Sequence, residues 1–302
     1  MQNEATILVN RAILIGTTFI IVIGLSIGLI FILMTFDNGY KTSTEKVIIE
    51  DNFLYYNGVN ITWLGTAGFK LKTNELIVYL DPFSIPVNEI DKADIIIASH
   101  GHIDHLSLQD ISNLADKNET ILYTTKPIQI DQFSIPDEDI QKLEVKEINY
   151  IKPGDIIKKY GITLEFVSAY NIDKYNPYQP DQLWHPPEAN WTGVIVDFGN
   201  VRIYHTGDSD HIPEMKQVAC DIALIPVMGQ AMMTAEEAAE ALESLNVSSN
   251  LKYAVPMHYT YPMTFPDLGN ITIGSLAEAT EFLEKANSTT VVILEPIYHT
   301  GS

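Results

Sequence analysis

The sequence predicts one layered α/β domain carried behind a single hydrophobic helix. Short β-branched and aromatic runs alternate with helical stretches over most of the chain, a dense histidine cluster ends one of those runs, and an uncharged N-terminal stretch is long enough to cross a bilayer. With 302 residues, 46% of them apolar and 19% charged, the chain can build one large core and lies far from disordered compositions. Residues 1–11 read as a short tail, 12–36 as a transmembrane anchor, 37–51 as a polar linker and 52–302 as the domain.

The anchor rests on AILIGTTFIIVIGLSIGLIFILMTF, a run without charge bounded by Arg11 and Asp37. As a helix it rises 1.5 Å per residue and covers a hydrocarbon core of roughly 30 Å with some tilt. A cleaved signal peptide has an apolar region of only about 7 to 15 residues and a small-residue cleavage site, which MTFDNGYK does not supply. A chain starting near Asp51 is therefore expected to need no detergent. Flanking charge does not orient the helix, since Arg11 stands on one side and Lys41 and Lys46 on the other. Asn-x-Ser/Thr triplets at Asn60, Asn118, Asn190, Asn246, Asn270 and Asn287 favour a single-pass protein of the cell membrane with its domain outside the cytoplasm.

Beyond the linker, NITWLGTAGFKLKT and ELIVYLDPF read as strands of a meander broken by Gly and TNE. ADIIIAS, at 93–99, is a continuous apolar run of the kind buried on both faces. GITLEFVSA, WTGVIVDFG, NVRIYHTG, CDIALIPV and LKYAVPMH continue as strands, with TAEEAAEALESL and SLAEATEFLEKA as helices between and after them. The lone Cys220 cannot form an internal disulfide and reads as a small buried apolar residue. A net charge of −21 repels phosphate backbones and argues against nucleic acid as a partner.

His100-Gly101-His102-Ile103-Asp104-His105 follows the buried run directly, so four possible ligands leave one rigid edge. Alternate residues of an extended segment point the same way, which lets His100 and His102 share one cation while Asp104 and His105 turn to a second. Imidazoles and a carboxylate packed so closely repel when charged alike and call for a divalent metal. A nitrogen and oxygen ligand set suits zinc first, with manganese or iron compatible.

The pattern HxHxDH resembles the metallo-β-lactamase superfamily, and the resemblance runs over nearly all of residues 60–298. It implies a four-layer αββα sandwich with two divalent metal ions. It matches Asp81 of YLDPF to a supporting carboxylate behind the ligands, Asp208 of HTGDS to the bridging carboxylate and His258 of VPMHY to the last histidine. WLGTAGF, YLDPF, YHTGDS and PMHY look most like the branch with L-ascorbate-6-phosphate lactonase and N-acyl phosphatidylethanolamine phospholipase D. The implied activity is hydrolysis of an ester, lactone, amide or phosphodiester bond in a small-molecule or lipid-derived substrate. Asp104 and Asp208 are its catalytic carboxylates, with a hydroxide generated near neutral pH between the metals. The alternative is a metal-binding or ligand-sensing ectodomain without turnover.

The third histidine of the first metal is missing from its usual place, where the strand end reads Val167-Ser168-Ala169-Tyr170-Asn171. His185 is preferred as its replacement, because Pro186 and Pro187 stiffen its approach and it resembles a loop histidine in archaeal-type members that also have AYN at the strand end. His205, three residues before Asp208, and a centre with no third histidine stay open. The aperiodic, aromatic residues 170–191 read as a rim or lid. His211 and His299 are given no role.

Overall fold

A computed structural model describes residues 19–24, 29–34, 46–49, 52–85, 90–249, 251–259, 261–265, 269–273, 276–286 and 289–294. Two sheets form its body. The first has seven strands in the order Glu147–Ile151, Ile121–Thr125, Ile95–Ala98, Ile77–Leu80, Gly68–Lys72, Val59–Gly65 and Phe53–Tyr56. The second has ten, in the order Phe19–Gly24, Leu29–Met34, Lys46–Ile49, Thr290–Ile293, Tyr253–Met257, Ile222–Pro226, Arg202–His205, Thr192–Asp197, Ile162–Ser168 and Ile156–Lys159.

Side-chain alternation explains the apolar runs. In Ile95–Ala98, Ile95 and Ile97 enter the main core with Trp63, Phe69, Phe166 and Val194. Ile96 and Ala98 point the other way, into a smaller core with Tyr79, Leu122 and Ile140 and with Ile111 and Leu114 of the helix Leu108–Leu114. A strand covered on both faces has no polar side to show, so its sequence loses the period-two pattern. The helices Ala235–Ser248 and Leu276–Lys285 add Ala238, Leu242, Leu245, Phe282 and Leu283 to the main core. The first of them starts on a capping box between Thr234 and Glu237. Burial of Cys220 agrees with its reading as a small apolar residue.

Two expectations need correction. Within the span 12–36 expected to be one helix, Phe19–Gly24 and Leu29–Met34 are antiparallel strands, and the latter pairs with Lys46–Ile49, inside the expected linker. Lys46–Ile49 in turn runs parallel to Thr290–Ile293, so the second sheet begins before residue 52. FIIVIG, LIFILM and KVII are rich in β-branched and aromatic residues, and an apolar run without period leaves helix and strand undecided. The rest of 12–36 and of 37–51 lies outside the described residues, as does His299. Among the described residues no helix is long and apolar enough to cross a membrane.

The expected lid is more ordered than its sequence suggests. Tyr175–Asn176 pairs with Gln179–Leu183 as a small hairpin, and Pro187–Ala189 forms a single 3-10 turn.

Candidate metal centre

Parallel strands of both sheets end at one edge of the sandwich, and the expected ligands leave those ends. Ile77–Leu80 and Ile95–Ala98 run parallel and deliver Asp81 and the segment His100 to His105. Arg202–His205 and Tyr253–Met257 flank Ile222–Pro226, also parallel, and deliver Asp208 and His258. Such carboxyl ends are where open α/β sheets place their sites. The two halves meet where Thr192 N–H donates to Ser99 O at 3.1 Å. Asp81 and His258 take left-handed backbone conformations, φ 43° and 61°, which turn the chain sharply at the strand ends.

Two glycines make the close approach possible. A Cβ on Gly193 would stand 2.7 Å from His205 O and 2.8 Å from Thr206 O, and one on Gly207 (φ +62°) would stand 2.9 Å from Thr192 O. Since the obstacles are main-chain atoms, Gly193→Ala is expected to cost about 1–3 kcal/mol of stability, as overpacking does. It should also push the turn carrying Asp208 out of place. Denaturant unfolding of this variant checks the first effect, and a midpoint equal to that of the parent chain would refute it.

The ligands gather as two groups around Asp208. His100, His102 and His185 bring one nitrogen each within a mutual 4.8 Å, and Asp104, His105 and His258 do the same with a carboxylate oxygen among them. Asp208 reaches both: Oδ2 lies 3.1 Å from His105 Nε2 and 3.6 Å from His185 Nε2, and Oδ1 lies 3.1 Å from His258 Nε2. All are buried except Asp104, which is part-exposed.

Four of the five imidazoles, those of His100, His102, His105 and His185, are oriented from behind, and the neighbours decide where the proton sits. Ser99 Oγ donates to Asp81 Oδ2 at 2.6 Å and therefore accepts from His100 Nδ1, 3.0 Å away. Asp81 Oδ2 also accepts from His105 Nδ1 at 2.7 Å. His102 turns Nε2 towards Asp131 Oδ2 at 3.2 Å. His185 Nδ1 faces Asn171 Oδ1 and Ala231 O, each at 2.9 Å. The inward atoms of His100, His102, His105 and His185 are thus bare nitrogens when these rings are neutral, with His100 Nε2 and His102 Nδ1 only 3.1 Å apart, while His105 Nε2 stands 3.3 Å from His258 Nε2. Buried His185 Nε2 and Asp208 Oδ1 have no hydrogen-bond partner among the described residues. Lone pairs converging on shared points, with a buried carboxylate between them, fit divalent cations and little else.

Electrostatics agree. Burial and the neighbouring His105 push His100 well below the ordinary histidine range, and burial takes His185 down to about 3. Burial opposes the charge of His105, but Asp208, Asp104 and Asp81 overcome it and raise this ring well above the usual value. Burial likewise opposes ionisation of Asp208, yet His105 and His258 hold it well below the usual carboxylate range.

The structure therefore gathers His100, His102, Asp104, His105, His185, Asp208 and His258, and it separates the alternatives. His205 is committed elsewhere: Nε2 lies 2.8 Å from Ala67 O and Nδ1 accepts from Gly207 N–H at 3.1 Å. His211 pairs with Ser244 at 2.7 Å. Sequence reasoning passed over Asp131, Asn171 and Trp191. Trp191 is buried, with its ring centroid 4.6 Å from that of His100 and 4.8 Å from that of His102.

A model described as the beta-lactamase superfamily domain matches residues 60–258, from the strand Val59–Gly65 to the last histidine. The chain belongs to that superfamily. A UPF0173 metal-dependent hydrolase of Thermoplasma acidophilum is 31% identical over 67% of this chain and 83% of its own length. A relative of the same name in Archaeoglobus fulgidus is 30% identical over 69% and 87%. Among solved structures, a protein of Parabacteroides distasonis named for metal-dependent hydrolysis superimposes with a TM-score of 0.59 at 25% identity, covering 85% of this chain and 97% of that one. Sharing family with these relatives and fold with the solved structure, the chain is a metal-dependent hydrolase of the metallo-β-lactamase superfamily.

Proposed function

We propose that this hydrolase cleaves an ester, lactone, amide or phosphodiester bond at a centre of two divalent cations, zinc first, with manganese or iron compatible. One observation carries the proposal: Asp208 stands between a three-nitrogen group and an Asp104, His105, His258 group, with Oδ2 within 3.6 Å of His185 Nε2 and 3.1 Å of His105 Nε2 and Oδ1 3.1 Å from His258 Nε2. His100, His102 and His185 would hold the first cation, Asp104, His105 and His258 the second, and Asp208 both. Such a pair, when bound, supplies Lewis acidity and lowers the pKa of water to about 7. The chain itself orients the ligands through Ser99, Asp81, Asp131 and Asn171. Trp191 packs its ring against His100, His102 and His185. Ile103, exposed between His102 and Asp104, offers the substrate an apolar contact at the mouth. Phe133, Trp184 and the exposed Tyr178 cluster beside it with ring centroids 6.2–6.5 Å apart. An apolar rim and a net charge of −21 favour a small-molecule or lipid-derived substrate over a polyanion.

Attachment to a bilayer, with the domain outside the cytoplasm, completes the proposal, and it requires the run at 12–36 to leave the strand pairing described above and enter lipid as a helix. It rests on the uncharged run at 12–36 and the Asn-x-Ser/Thr triplets. The test has two arms. Metal analysis of the purified chain, followed by phosphodiester, lactone and acyl-amide probes, should show two bound cations and turnover of one probe class. Two cations with no turnover of any class would favour a sensing domain. A chain beginning at Thr42, which keeps the strand Lys46–Ile49, should stay in the aqueous phase while the full chain partitions with membranes. Equal partitioning of the two would end the tether proposal.

A further inference from the structure

The side chain of Asn171 occupies the strand end where a histidine ligand is missing, yet it lies wholly behind the nitrogen group. It is buried, and each of its polar atoms has a partner whose chemistry is fixed. Oδ1 accepts from the backbone N–H of His185 at 2.9 Å, and Nδ2 donates to Ala231 O at 2.9 Å. A main-chain N–H only donates and a carbonyl only accepts, so the amide has one possible orientation. His185 Nδ1 then meets two acceptors, Asn171 Oδ1 and Ala231 O, both at 2.9 Å. Its proton must sit on Nδ1, and Nε2, 3.6 Å from Asp208 Oδ2, is left as a bare lone pair facing the centre. The backbone joins in, since Asn171 N–H donates to His185 O at 2.7 Å.

We propose that Asn171 is a positioning residue for the metal centre: its amide selects the tautomer of His185 and aims Nε2 at the first cation. This rests on the reading of His185 as a metal donor. The same amide ties the strand end at 168, the turn before Pro186 and the segment at Ala231 together. One side chain thus sets both the course of the loop and the donor it carries.

The test uses the full-length chain, metal-free, titrated with Co²⁺ and read by visible absorption and by competition with a chelator. Asn171→Ala should weaken one of two cobalt equivalents by about 10–100-fold, the usual cost of removing a group that orients a ligand. Its absorption should shift in the same direction as that of His185→Ala. Asn171→Asp keeps the acceptor for His185 but loses the donor to Ala231 O, so it should recover part of the lost affinity and move the spectrum back towards that of the parent. If His185→Ala weakens cobalt binding and Asn171→Ala does not, the positioning role is wrong and the metal centre stands. If His185→Ala changes nothing, the reading of His185 as a donor fails, and this inference with it. Equal losses in Asn171→Ala and Asn171→Asp would mark a packing role and overturn the inference. A measurement free of variants stands beside these: ¹⁵N resonances of the histidines in the metal-free chain should show His185 protonated on Nδ1, and protonation on Nε2 instead would refute the proposal even if Asn171→Ala does not fold.

Discussion

Replacing Asp208 by alanine is expected to lower turnover by at least about 10²-fold, the size of loss that follows removal of one preorganised charged or polar group from a water-excluded site. Among the described residues no other carboxylate comes within reach of both ligand groups. Asp104 joins only the His105 and His258 group, and Asp81 is occupied by Ser99 and His105. Folding should survive, because the carboxylate sits at the sheet edge while the main core packs between and behind the sheets. Asp208→Asn separates charge from shape: it keeps the volume, loses the anion between His105 and His258, and should be nearly as inactive. Steady-state rates with whichever probe the parent chain hydrolyses decide the matter. A variant retaining a tenth or more of the parent turnover would remove Asp208 from the bridging position.

What could be read from the sequence, and what could not, follows from how each feature is written there. His100, His102, Asp104 and His105 are legible because one turn of chain presents them together, and a cluster of that density has few uses other than metal. His185 was harder, being far along the chain in a loop without period, and only its two prolines and a likeness to related loops favoured it over His205. The structure separates the two by their partners: both ring nitrogens of His205 are engaged by Ala67 O and Gly207 N–H, while Nε2 of His185 is free to face the centre. Asp131 left no signal, and Asn171 left only its place in AYN, which pointed to a loop histidine without saying what the amide does. Asn and Asp are common in loops for their own local hydrogen bonds, and nothing in QIDQF or AYNID says which imidazole such a side chain will orient.

The fold shows the same division. Strands buried on one face or on both were legible from apolar runs and turn residues, as Ile95–Ala98 and Ile222–Pro226 illustrate. The N-terminal run was not, because its length and lack of charge meet the requirement for a spanning helix while FIIVIG and LIFILM also suit strands. Hydrogen bonding separates the two outcomes. Inside lipid an isolated segment can satisfy its backbone only as a helix, whereas beside a sheet edge the same residues can pair with Lys46–Ile49.

Metal uptake at neutral pH should release a proton from His105. In the metal-free chain burial works against its charge, but Asp208, Asp104 and Asp81 outweigh burial and keep the ring protonated well above the ordinary histidine value. His100 and His185 differ: burial holds His100 well below that value and takes His185 down to about 3, so both are already neutral and ready to donate. A cation entering the second group must therefore displace the proton on His105 Nε2, while one entering the first group meets bare nitrogens at His100 and His185. The sign follows from competition, since protons and cations seek the same lone pair and raising the pH removes the competitor. Affinity at the second group is expected to rise about tenfold per pH unit through neutrality, the dependence of a single linked proton. It should level off once the pH exceeds the raised value of His105. Calorimetric titration with Zn²⁺ at pH 7 in buffers of different ionisation enthalpy counts the protons directly. Uptake without proton release, at an affinity independent of pH between 6 and 8, would show that His105 is neutral before the metal arrives and that the three carboxylates around it do not set its charge.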